Sequence, residues 1–108
     1  MESKVKNKVK VITIIGREWF DKVNGNSYFS ATAYIDNKEG FEVPFQYGYG
    51  DQYIWETFDA LDKAGLLPDP MQRYKNGGTE AGWSYCQRLG IKLNCEKFSV
   101  LKKEAKRK

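Results

Sequence analysis

Histidine is absent from the 108 residues. That excludes serine–histidine and cysteine–histidine nucleophile pairs, histidine-ligated zinc and imidazole proton relays. Cysteine is scarce, with Cys86 and Cys95 alone. Two thiols without CxxC spacing make no zinc site, and free thiols in a reducing compartment are the default. No apolar run approaches the ~20 residues that a membrane-spanning helix needs. The first residues alternate lysines with Val5 and Val9 and lack the apolar stretch of a signal peptide. The expectation is a cytoplasmic protein with no metal, no cofactor and no membrane contact.

What is present is charge at the ends and aromatic side chains throughout. The formal net charge is +4. Residues 1–10 carry four lysines against Glu2, and residues 97–108 carry six cations against Glu104. The stretch 11–96 holds eight basic and twelve acidic residues, so an acidic body lies between two basic ends. Basic ends steer a protein toward phosphates; they also serve as solvated tails that keep a small protein soluble. A chain of this length fits one domain, 1–108, with basic segments at 1–8 and 102–108.

Residues 9–15 read as a buried strand, through Val9, Val11, Ile12, Ile14 and Ile15. Asn24-Gly25 signals a hairpin of type I′, whose two central residues need positive φ. Residues 27–35 alternate: Phe29, Ala31, Ala33 and Ile35 share a core face, and Tyr28, Ser30, Thr32 and Tyr34 a wetter one. Phe41, Val43 and Phe45 make a third strand, and Pro44 places it near an edge. Asp51 fits a helix N-cap. Ile54, Phe58 and Leu61 at i, i+4 and i+7 predict an amphipathic helix over 51–64, ended by Gly65 and Pro68. A loop follows. Thr79 can then cap a second helix to Leu89 with Trp83, Cys86 and Leu89 as its inward candidates, and 91–103 reads as a closing strand, or as a strand followed by a terminal helix. Strands first and helices after predict an α+β fold: an antiparallel sheet of about four strands, β-β-β-α-α-β, with helices packed on one face.

Catalytic constellations are weak. Glu18, Asp21, Asp36, Glu39 and Glu42 fall in turns or beside lysines, where solvated charge is the ordinary role. Cys86 has no histidine to activate it. Two glycine loops precede helices, at Gly48 and Gly50 and at Asn76-Gly77-Gly78-Thr79 with Arg73 and Lys75 nearby. Such turns aim N–H groups at anions, or serve only as tight turns and surface loops. The aromatic share is 15%. Phe29, Phe41, Phe45 and Phe58 fall on inward positions. The tyrosines fall on the wetter face of their strand or at the junction before the first helix. Bases stack on aromatic faces for roughly 1–3 kcal/mol each. Aromatics among amide and basic donors therefore suit a nucleotide-type ligand; tyrosines covering the outer sheet face with their hydroxyls in water are the plain alternative. The candidate ligand-binding residues are Arg17, Trp19, Asn24, Asn26, Tyr28, Tyr47, Tyr49, Gln52 and Tyr53.

Residues 19–30, WFDKVNGNSYFS, fit the pattern WFD-basic-x-NGN-[ST]-Y-x-S. Residues 45–53, FQYGYGDQY, fit F-x-YGYG-x-Q-aromatic, and Trp83-Ser84-Tyr85-Cys86 fits W-x-[YW]-C. In this order the chain resembles a family of small bacteriophage accessory proteins, over nearly its whole length. It departs from the pattern at Phe29, where that family often has histidine. The resemblance implies a phage or prophage protein that counters host defence. One such class inhibits host defence complexes by protein contact. Another sequesters cyclic nucleotide signals without cleaving them, often at the interfaces of a homo-oligomer. The second accords with the aromatic and amide residues and with a non-enzymatic chain. A DNA or RNA partner engaged through the basic ends is a third expectation.

Overall fold

The computed structural model describes residues 9–38, 40–75 and 77–106. The basic segment 1–8, Glu39, Asn76, Arg107 and Lys108 lie outside the described residues.

Three strands come first: β1 (Val11–Asp21), β2 (Asn26–Ile35) and β3 (Phe41–Tyr47). Two helices follow, α1 (Gln52–Lys63) and α2 (Gly82–Leu89), then β4 (Lys92–Ser99) and a short α3 (Lys102–Lys106). The sheet order is β3-β2-β1-β4. The α+β class holds, but the sheet is mixed. β1–β2 and β2–β3 pair antiparallel, whereas β4 pairs parallel with β1. The reason is the connection: tight turns reverse a strand, while a helical crossover returns it in the same sense. β3 leaves one edge running with β1, and the helices carry the chain to the other edge in that sense.

The hairpins differ from the sequence expectation. At 22–25 only Gly25 has positive φ, and the Gly25 N–H donates to the Asp21 carbonyl. Asp21 fixes this four-residue turn by accepting from the Val23 and Asn24 N–H groups and the Asn24 amide. The two-residue turn with both φ positive lies instead at Asp36 and Asn37, closed by the Lys38 N–H on the Ile35 carbonyl.

The inner sheet face presents Ile12, Ile14, Phe29, Ala31, Ala33 and Val43 to Tyr53, Ile54, Phe58 and Leu61 of α1 and to Tyr85 and Cys86 of α2, forming one core. Gly16 lets α1 approach: a Cβ there would lie 2.6 Å from the Tyr53 ring. Several local expectations change. Asp51 precedes α1 but makes no side-chain cap, and α2 starts at Gly82 with Ala81, not Thr79, at its N-cap. Trp83 is 53% exposed rather than inward. Of the two readings of 91–103, the strand followed by a terminal helix is the one found: the strand stops at Ser99, and α3 follows.

α3 makes the second departure from the expected layering. It lies on the outer sheet face, opposite α1 and α2. Ala105 is fully buried there and its carbonyl accepts from the Ser30 hydroxyl. Ser30 and Thr32, expected on a wet face, are therefore buried.

Candidate functional site: an aromatic row on the outer sheet face

The register aligns aromatic residues across three strands. Trp19 faces Tyr28 between β1 and β2, and Tyr28 faces Tyr47 between β2 and β3. The ring centroids are 5.8 Å apart in both pairs, tilted in the first and edge-on in the second. Phe45 stacks on Tyr28 at 5.3 Å with 9° between planes. It reaches this face because of a bulge. Between the pairs Ala31–Val43 and Phe29–Gln46, β3 spends one residue more than β2. An extra residue reverses the side-chain alternation, so Phe45 turns outward instead of into the core.

α3 supplies the cations. Lys102 Nζ lies 5.1 Å from the Trp19 ring centroid, and Lys106 Nζ 5.7 Å from that of Phe45. The two lysines are one helical turn apart, with Ala105 anchoring the helix beside them. Such cation–π contacts contribute about 0.5–1 kcal/mol at exposed sites. They are easily exchanged for contacts with a ligand, because lysine is long and flexible.

Beneath α3 runs a polar network. Arg17 donates to the Ser30 hydroxyl at 3.1 Å and to Glu42 at 3.4 Å. The Thr32 hydroxyl donates to the same carboxylate at 3.0 Å. Arg17 is thus buried as part of the support for the aromatic row. Asn26, opposite Asp21, marks the hairpin end of this face.

The remaining candidates separate from this cluster. Asn24 is at the hairpin tip, bonded to Asp21, which lowers the Asp21 carboxyl below its ordinary range. Tyr53 is 5% exposed and lies on the other side of the sheet, its hydroxyl pushed up to about 12 by burial. Tyr49 is exposed in the connection to α1, and Gln52 reaches back to the Tyr47 carbonyl at 3.5 Å. The sequence therefore grouped two motifs that the fold places on two sides. Arg17, Trp19, Asn26, Tyr28 and Tyr47 share the outer face; Tyr49, Gln52 and Tyr53 belong to the start of α1 and its approach.

The glycine loops are committed to local structure. A Cβ on Gly48 would lie 2.5 Å from Phe29, which is a core residue. Lys97 donates to the Gly50 carbonyl at 2.8 Å. In the second loop, Arg73 bonds Thr79 and Asp62.

Phe45, Lys102 and Lys106 were missed as site residues. For Phe45 the only signal was Pro44 in the strand. For the lysines it was their four-residue spacing around Ala105. The thiols offer no activated nucleophile: burial pushes Cys86 and Cys95 each up to about 11, so both are protonated at neutral pH. Among the described residues, no three histidine, cysteine or acidic side chains gather as a metal site, and no helix is long and apolar enough to cross a membrane. Compared with known proteins, the chain matches no family model, no curated protein and no solved structure.

Proposed function

We propose that this chain is a non-catalytic binding protein for a nucleotide-type ligand, held on the outer sheet face. The observation that carries the reading is the row Trp19–Tyr28–Tyr47 with Phe45, flanked by the ammonium groups of Lys102 and Lys106. A base needs a flat apolar surface, and its phosphate needs nearby cations. Tyr47 is 57% exposed, so it can receive a base without unpacking the core. Each stacked base contributes roughly 1–3 kcal/mol. The motif resemblance adds a setting: a phage accessory protein that sequesters cyclic nucleotide immune signals in the cytoplasm of the infected host. Oligomerisation would complete the ligand's second side.

The test is a thermal-melting screen of the full chain against cyclic di- and trinucleotides. A ligand present at about 100 times its Kd adds about 2.7 kcal/mol, a rise of roughly 10 °C or more for a domain this size. Tyr47→Ala and Lys102→Ala should remove the shift, whereas Tyr49→Ala should keep it. No shift with any nucleotide overturns the proposal.

A second reading is favoured by one observation. α3 brings Lys102 and Lys106 to the sheet that carries the aromatic row, and Lys103 adds a third cation to the same helix. Single-stranded nucleic acid uses that combination of stacking platform and cationic track. Binding of a labelled oligonucleotide that falls steeply with salt, with no response to mononucleotides or cyclic dinucleotides, would select it.

A further inference from the structure

On the opposite, helical side of the molecule, a groove of about 480 Å³ opens between α1 and the segment that leads into α2. Its floor is apolar: Phe58 and Met71 are buried there. Gly82 keeps it open, because a Cβ at that position would lie 2.5 Å from the Phe58 ring. One wall is Trp55, an indole left 63% exposed. Glu56 and Asp59 stand along the same helix, and Glu80 closes the far side. No lysine or arginine lines the groove among the described residues. Glu80 is already held by Arg88 at 2.8 Å, and Asp59 pairs with the exposed Lys63 at 3.1 Å. Such a surface pair contributes little.

We infer that this groove binds an arginine side chain presented by an extended segment of a partner protein. The chemistry fits atom by atom. The aliphatic stem would cover Phe58 and Met71. The planar guanidinium would stack on Trp55, the best aromatic partner for a cation, and its N–H fork would meet the Glu56 and Asp59 carboxylates. Trp55 and Asp59 are one turn apart on α1 and so share a face. The chain uses the same combination internally. Arg88 lies 5.4 Å from the Tyr85 ring centroid while bonding Glu80 and Asp69. A phosphate-bearing ligand is disfavoured here, because the lining holds carboxylates and no cationic side chain, and the neighbouring Arg88 is already committed to Glu80. The inference is independent of the nucleotide reading, since the groove and the aromatic row lie on opposite sides of the sheet.

The experiment titrates the full chain with a short glycine-rich peptide carrying two arginines, followed by tryptophan fluorescence. The control peptide replaces arginine by citrulline, which keeps the shape and removes the charge. The expected result is saturable binding of the arginine peptide, at least about tenfold tighter than the citrulline peptide. Glu56→Gln/Asp59→Asn should abolish that preference, and Trp55→Phe should abolish most of the fluorescence change while retaining weaker binding. Both variants are surface changes on α1, and a melting curve confirms that each is folded. Equal binding of the two peptides, undiminished binding by the carboxylate variant, or displacement by an oligonucleotide would each overturn the inference.

Discussion

Glu80 shows what a single carboxylate can hold together. Its side chain is 3% exposed, accepts two bonds from Arg88 and one from the Gln72 N–H, and so pins the long connection between α1 and α2. The Arg88 hydrogen bonds keep the Glu80 carboxyl below its ordinary value near 4.5, against the opposing effect of burial. A depressed carboxyl stabilises the fold above the unfolded-state pKa, and this contribution disappears as pH falls through the folded value. The melting temperature should therefore drop as pH is taken below about 4.5. In Glu80→Gln the neutral-pH stability should be lower by about 2 kcal/mol, because Arg88 loses its best partner. The acid-limb drop should then be shallower than in the parent. Melting curves of both proteins from neutral pH to pH 3 check this; parallel acid limbs would contradict it. Tyr85 acts beside it, donating to the Asp69 carbonyl at 2.6 Å while accepting from the Asp69 N–H.

At the scale of elements, α3 is the part whose existence depends most on its surroundings. Five residues make too short a helix to persist in water alone. It persists because Ala105 is buried against β2 and because its lysines lie over Trp19 and Phe45. Ala105→Asp should release it at a cost of about 2 kcal/mol, by placing a carboxylate at a fully buried position. Amide exchange at Ser30 and Thr32 should then quicken while exchange in α1 stays slow, which hydrogen-exchange measurements resolve. The legible elements were those with a local signature. Ile54, Phe58 and Leu61 wrote α1 into the sequence by their spacing, and 27–35 declared β2 by alternation. α3 had no apolar stripe to declare it, only Ala105 between lysines. Phe45 could not be assigned because a bulge depends on two strands at once, and Trp83 lies beside the buried face of its helix, which holds Gly82, Tyr85 and Cys86, so spacing from Cys86 alone did not place it. The same limit applied to the site: a type I′ turn at Asn24-Gly25 would set Trp19 opposite Ser30, and the four-residue turn sets it opposite Tyr28 instead. The motif around Tyr47, however, runs on to Tyr53, and only the turn at Gly48 and Gly50 shows that the chain has changed sides.

Two charged clusters lie on opposite sides of the sheet. The outer face carries the α3 lysines, and the helical face carries the groove with Glu56, Asp59 and Glu80. Charges on opposite sides are separated by the core, so water and salt screen each site largely on its own; the Debye length is about 8 Å at physiological ionic strength. The two proposed sites should thus respond independently to changes in α3. Replacing Lys102, Lys103 and Lys106 by glutamine lowers the formal charge to +1 but leaves Ala105 and the α3 backbone in place. Nucleotide or oligonucleotide binding on the outer face should then weaken by about tenfold or more, at about 1 kcal/mol per lost phosphate contact, and lose most of its salt dependence. Arginine-peptide binding in the groove should change by less than about twofold, in line with the near-additivity of distant sites. Paired titrations at low and physiological salt, on parent and variant, measure both responses in one protein. A loss of peptide binding alongside nucleotide binding would mean that the charge on α3 is felt through the core, and that the two faces form one coupled surface.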